Sequence, residues 1–119
     1  MKPKLRAALL LLFLAFPLMG CDDDEFEHDP PDGQSGLIVV NDLGVDLRVF
    51  IDGEEVRDVD SFDDRTYNLE PGLHRIILDP RDSTATYQDE IELLVNRTLI
   101  LLVRGFNFDG DLNVDMRLD

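Results

Sequence analysis

Carboxylates dominate the chemistry this chain has to offer. Asp109, Asp111, Asn113 and Asp115 fall at alternate positions near its end, the spacing of the first oxygen donors in calcium-binding loops. Held in a loop, the four would converge on a hard cation. Held in a strand, the same period of two puts Asn113 and Asp115 on a polar face opposite Leu112, Val114, Met116 and Leu118. No glycine stands between Asn113 and Asp115, and no bidentate glutamate follows, so a strand is expected, with no metal or cofactor assigned. The alternative is a calcium-dependent binding module built on these four residues, or on Asp58, Asp60, Asp63 and Asp64.

Covalent catalysis would require a nucleophile, a base and a group that orients the base. The chain has two histidines, His28 and His74, and a single cysteine, Cys21. His74 follows a turn and is expected on a strand surface. Pairs such as Asp63 with Asp64, or Glu90 with Glu92, have the composition for general acid and base work. With 26 acidic against 11 basic side chains and a net charge of −15, such pairs arise from density alone, and a solvated face explains them. No catalytic residue is expected. The same charge makes nucleic acid and anionic lipid headgroups poor partners.

The elements that must position these groups begin after a distinctive leader. Met1 to Arg6 is short and cationic, and Ala7 to Pro17 is apolar but too short to span a bilayer as a helix. Leu18-Met19-Gly20-Cys21 then ends the run at the only cysteine. This tetrapeptide resembles the bacterial lipobox. The resemblance implies a signal peptide over 1–20, a diacylglyceryl group on the Cys21 sulfur, and attachment to a membrane through that residue. Several acyl chains at roughly 0.8 kcal/mol per buried methylene would make the attachment effectively permanent. The implied location is the bacterial cell envelope, facing away from the cytoplasm, with inner and outer membrane both open.

From Cys21 to Ser35 the chain is acidic, poor in apolar residues and broken by Pro30 and Pro31. It reads as a disordered tether, extended by self-repulsion. A cation site within Asp22 to Asp29 is not expected, because consecutive carboxylates on a flexible chain lack the frame that a specific site needs.

Residues 36–119 form the folded domain, and their period is that of strands. Leu37 to Asn41 is a short apolar run. Val45, Leu47, Val49 and Ile51 alternate with polar residues up to Asp52-Gly53, a favoured hairpin turn. An edge ribbon over Glu54 to Asp60 follows, then strands over Ser61 to Leu69, Leu73 to Leu78, Thr84 to Val95 and Thr98 to Arg104. Turn chemistry at Glu70-Pro71-Gly72, Asp79 to Asp82 and Asn96-Arg97 separates them. Leu99 to Val103, apolar on both faces, is expected at the centre of a sheet. A terminal hairpin with a three-residue loop at Asp109 to Asp111 would place Phe108 opposite Leu112 and Phe106 opposite Val114. Without a helical period, and with no cysteine pair for a disulfide, the fold class is all-β. It is a small antiparallel β-sandwich, immunoglobulin-like or prealbumin-like, held together by packing.

Leu37 to Val40, Val49 to Val56 with its Asp52-Gly53, and Leu69 to Leu78 with its Pro71-Gly72 resemble the PEGA domain of bacterial surface proteins. They are also similar to an uncharacterised group of secreted bacterial sandwich domains. The likeness runs from Gly36 to Gly105. It departs at Leu73, where the PEGA motif has alanine, and at Asp58 to Ser61, where Thr-Pro is usual. It implies a non-catalytic interaction or spacer module whose partner would be an envelope protein or a glycan.

Overall fold

In the computed structural model, residues 28–107 and 109–119 are described. The leader, Cys21 and the acidic residues through Glu27 lie outside them, as does Phe108.

Among the described residues eight strands follow one another: β1 (Ser35–Asn41), β2 (Leu47–Ile51), β3 (Glu54–Glu55), β4 (Asp63–Leu69), β5 (Gly72–Pro80), β6 (Tyr87–Leu93), β7 (Thr98–Phe106) and β8 (Leu112–Leu118). They form two four-stranded sheets in the orders β4-β1-β7-β8 and β3-β2-β5-β6. The apolar halves of the alternating strands face one another across the interior. Leu37 and Val39 of β1 with Leu101 and Val103 of β7 meet Leu47 and Val49 of β2 and Ile76 and Leu78 of β5. All eight are fully buried. At about 25 cal/mol per Å² of apolar surface removed from water, this layer supplies the main favourable contribution to folding.

Every strand pair is antiparallel except β1 with β7, which is parallel, Gly36 facing Thr98 and Val40 facing Leu102. The antiparallel expectation therefore needs one correction, at the centre of the first sheet. Leu99 to Val103 is apolar on both sides because both sides are covered. Leu101 and Val103 enter the core, while Ile100 and its β1 neighbour Ile38 are buried on the outer face.

Asp52-Gly53 makes the tight turn between β2 and β3, with positive φ at both residues (54° and 87°), as a type I′ hairpin requires. The ribbon after it is shorter than expected. Only Glu54–Glu55 is strand, and Val59 adds an isolated bridge to Leu47.

The terminal hairpin differs in register. Phe106 faces Leu112 and Val103 faces Val114, with a bulge between Val103 and Gly105. The loop is longer than three residues because Asn107 closes it. Its N–H donates to the Asp111 carbonyl, and its side-chain oxygen accepts the N–H groups of Asp109 and Asp111. Gly105, at φ 131°, supplies the backbone conformation that absorbs the shift.

The boundary of the tether also moves. From His28 onward the chain touches the sandwich, and Ser35 belongs to β1. Thr98 Oγ1 donates to the His28 carbonyl at 2.7 Å, His28 Nε2 lies 2.8 Å from Asn68 Oδ1, and the Gly33 N–H donates to Asn96 Oδ1 at 3.0 Å. Gly36 makes room for this crossing, since a Cβ there would sit 2.6 Å from Thr98 Oγ1 and 2.9 Å from the His28 ring.

Candidate functional site

The carboxylates singled out by spacing do not gather. Asp109 and Asp111 lie in the loop that Asn107 organises, whereas Asn113 and Asp115 are in β8. Asp115 is paired with Arg104 at 2.9 Å. In the other acidic group, Asp58 binds Arg81 at 2.9 Å, and one oxygen of Asp63 accepts the N–H of Asp64. Among the described residues, no three Asp, Glu, His or Cys side chains converge on a point that would hold a metal ion. Of the suggested acid pairs, Glu90 is engaged by Arg75 at 3.2 Å.

The most organised polar group lies at the end of the second sheet where the β2–β3 turn meets the start of β5. Positive φ at Asp52 directs its carboxylate back toward β5. There Oδ1 accepts the backbone N–H of Arg75 at 2.9 Å, and Oδ2 lies 2.6 Å from His74 Nδ1. The other ring nitrogen, Nε2, is 2.7 Å from the Glu70 carbonyl, which can only accept. His74 was expected on a strand surface, but it shares the inward parity of Ile76 and Leu78 and its side chain is only 13% exposed.

Charge in this group follows from its contacts. Partial burial opposes protonation of His74, yet the Glu70 carbonyl and the Asp52 carboxylate together outweigh it, and the imidazole pKa is raised. The Arg75 N–H and then His74 hold the Asp52 carboxyl below its usual value. With an acceptor at each nitrogen, the ring is satisfied best as imidazolium. Both nitrogens are thereby committed, so His74 works as a charged clasp between the turn and the strand. Sequence spacing could not show this, because Asp52 and His74 are 22 residues apart and the Asp-Gly pair already had a full explanation as a turn.

Beside the clasp, on the outer face of the second sheet, Asp52, Gly53, Leu73, His74, Arg75, Ile77 and Glu90 line an open depression of about 400 Å³. Leu73 stands out from it at 65% exposed, and Phe50 faces Ile77 across the β2–β5 pair. Apolar side chains flanked by the Arg75–Glu90 and Arg48–Asp79 pairs suit a shallow contact with another surface better than enclosure of a small molecule.

A small β-sandwich with a charged clasp at its rim is thus the class of domain that fold and site define. It is similar in fold to the N-terminal domain of AlgF from P. aeruginosa, with a TM-score of 0.52 and 15% identity over 73% of this chain and 96% of that one. A protein from Eubacterium rectale solved by NMR gives the same TM-score at 10% identity, over 71% of this chain and 88% of that one. No protein-family model matches the chain, and no curated protein sequence matches it. At these identities the likeness concerns the fold alone.

Proposed function

We propose that this chain is an envelope lipoprotein whose sandwich is a non-catalytic interaction or spacer module, held at a membrane surface by lipidated Cys21 and facing away from the cytoplasm. One observation carries the reading. The single cysteine of the protein closes an apolar run at Leu18-Met19-Gly20-Cys21, directly before a block of acids. The two acyl chains of a diacylglyceryl group on that sulfur would hold the chain in a bilayer with no need for a spanning helix. The resemblance to PEGA-like surface modules points the same way. So does the polar rim, where both nitrogens of His74 are bound to acceptors and none is free to activate a nucleophile.

The test is intact mass spectrometry of the protein from the membrane fraction of its native host, beside Cys21→Ser. A species that starts at Cys21 and carries acyl mass, absent from the variant, is expected. A free N-terminus at any other position overturns the reading.

A further inference from the structure

Among the described residues, four strands form the edges of the two sheets: β4 and β8 in the first, β3 and β6 in the second. Edge strands present unpaired backbone groups, and proteins guard them with charge, brevity or cover. β3 has two residues, both acidic; β4 begins with Asp63 and Asp64; β6 carries Asp89, Glu90 and Glu92. On β3 and β6, a second copy laid alongside would set acid near acid.

β8 is different. Its sequence, Leu112-Asn113-Val114-Asp115-Met116-Arg117-Leu118, alternates strictly and carries one acid and one base two positions apart. Met116 faces Leu101 and Leu118 faces Leu99 across the β7–β8 pair, so both belong to the inner, core-forming side. Nevertheless they are 49% and 46% exposed. The Asp119 N–H donates to the Thr98 carbonyl at 2.8 Å. Alternation along the strand then turns the backbone groups of Arg117 and Asp115 toward β7, and those of Leu118, Met116 and Val114 toward the open edge.

We propose that β8 pairs antiparallel with the β8 of a second copy of this chain about a two-fold axis at Met116, joining two first sheets into one. In that register Met116 lies against its own counterpart, Val114 against Leu118, and Asp115 against Arg117. The inner side becomes a continuous apolar strip. On the outer side Asp115, held from its own chain by Arg104 at 2.9 Å, meets the second copy's Arg117. Opposite charges across a strand pair are favourable and like charges are not. Moving the axis one residue toward the start of β8 sets Asp115 on Asp115. Moving it one residue the other way sets Arg117 on Arg117 and Asp115 on Asp119. Of these three registers, only the one centred on Met116 matches both the apolar and the charged positions, which argues for a second copy over an unrelated strand. The inference goes beyond the lipoprotein reading and holds whether or not Cys21 carries lipid. A pairing of seven residues is a small interface, so the association is weak and is best trapped covalently.

The experiment uses the full chain in membranes of an expressing host, with mild oxidation of single-cysteine substitutions read on non-reducing gels and the wild-type Cys21 as background. Met116→Cys brings two sulfurs into disulfide reach, whereas position 114 or 118 is far from its own counterpart. The covalent dimer from Met116→Cys is expected to exceed that from Val114→Cys or Leu118→Cys alone by roughly tenfold. Co-expressed Val114→Cys and Leu118→Cys chains should join to each other. Adding Arg117→Asp to the Met116→Cys chain should reduce the dimer to background, and co-expression with an Asp115→Arg, Met116→Cys chain should restore it, because each chain then supplies the charge the other lacks. Equal cross-linking at all three positions, a product containing a different protein, or no product at 116 would each overturn the proposal. A detergent-extracted wild-type chain that sediments at the mass of one copy at every concentration would do the same without any substitution.

Discussion

Two polar groups pin opposite ends of the sandwich, and they do so in opposite ways. At one end Asn41, fully buried and uncharged, ties together three stretches of chain. Its Nδ2 group donates to the carbonyls of Val45, Val59 and Asp60 at 2.9 to 3.1 Å, and its Oδ1 accepts the Leu43 N–H at 3.0 Å. At the other end Asp52 and His74 do a similar job with charge, and Asp52 is 52% exposed. Both groups hold a loop against a strand, and both satisfy nearly all their atoms. The difference is what happens when they fail. Water can replace a lost partner at the Asp52 end, whereas the Leu43 N–H that donates to Asn41 is buried, so the neutral amide should matter more to stability than the ion pair.

Asn41→Leu breaks the comparison most directly. It leaves the Leu43 N–H and the Val45 carbonyl without their partner, whereas the Val59 and Asp60 carbonyls keep the N–H groups of Leu47 and Asp63, and a loss of about 2 kcal/mol is expected in chemical denaturation, on the order of 10 °C in Tm for a domain of this size. A loss no larger than that of the rim variants would mean that the Asn41 bonds are replaceable. Asp52→Ala should cost about 1 kcal/mol, since it removes an exposed carboxylate and its two bonds while leaving the backbone turn.

A smaller effect separates the ends by pH. The raised pKa of His74 means that its contribution is fully present below its ordinary value of 6.5 and is lost as pH rises through the higher folded value. The lowered pKa of Asp52 means that its contribution is present above 3.8 and is lost as pH falls through the folded value. The clasp is therefore strongest between these limits. The stability difference between wild type and His74→Gln should shrink as pH climbs from 6 toward 8 by roughly the margin that an exposed pair provides. The difference between wild type and Asn41→Leu should stay flat across the same range. A His74→Gln difference that does not change with pH would show that the ring is held neutral. Smallest of all, millimolar Ca²⁺ should leave Tm where the same ionic strength of Na⁺ leaves it. A clear rise with Ca²⁺ alone would instead reveal a cation site among the acids.

The strands themselves were legible because local chemistry marks them. Asp52-Gly53 and Pro71-Gly72 sit where the chain reverses, and Leu99 to Val103 announced a strand covered on both faces. The parallel partnership of β1 and β7 left no local mark, since nothing in Leu37 to Asn41 names a neighbour some 60 residues away. Register in the last hairpin depended on one side chain, Asn107, capturing two backbone N–H groups, and on a bulge that the alternation of Leu112 to Leu118 does not encode. Asn41 looked like the residue that ends a strand, and its burial follows only from the packing of Val59 beside Leu47. At the rim, His74 was placed correctly in a strand but on the wrong side, because parity at the start of β5 is set by the Pro71-Gly72 turn. Residues His28 to Gln34 read as tether on composition. Their contacts with Thr98, Asn68 and Asn96 are made by backbone and by short polar side chains, which hydrophobicity does not detect.

The pairing of β1 with β7 also has a consequence in time. Gly36 and Thr98 must meet before the middle of the first sheet exists, so the sheet cannot close until nearly the whole domain has been made and released. β1 can pair earlier with β4, through Leu37 and Tyr67, but that ribbon stays half-built while the second sheet forms. Chains rich in such distant contacts fold in milliseconds to seconds, well behind helical bundles of the same size. A product that stops before Thr98 loses the central strand of a sheet, and β1, the first strand made, then waits for a partner that never arrives.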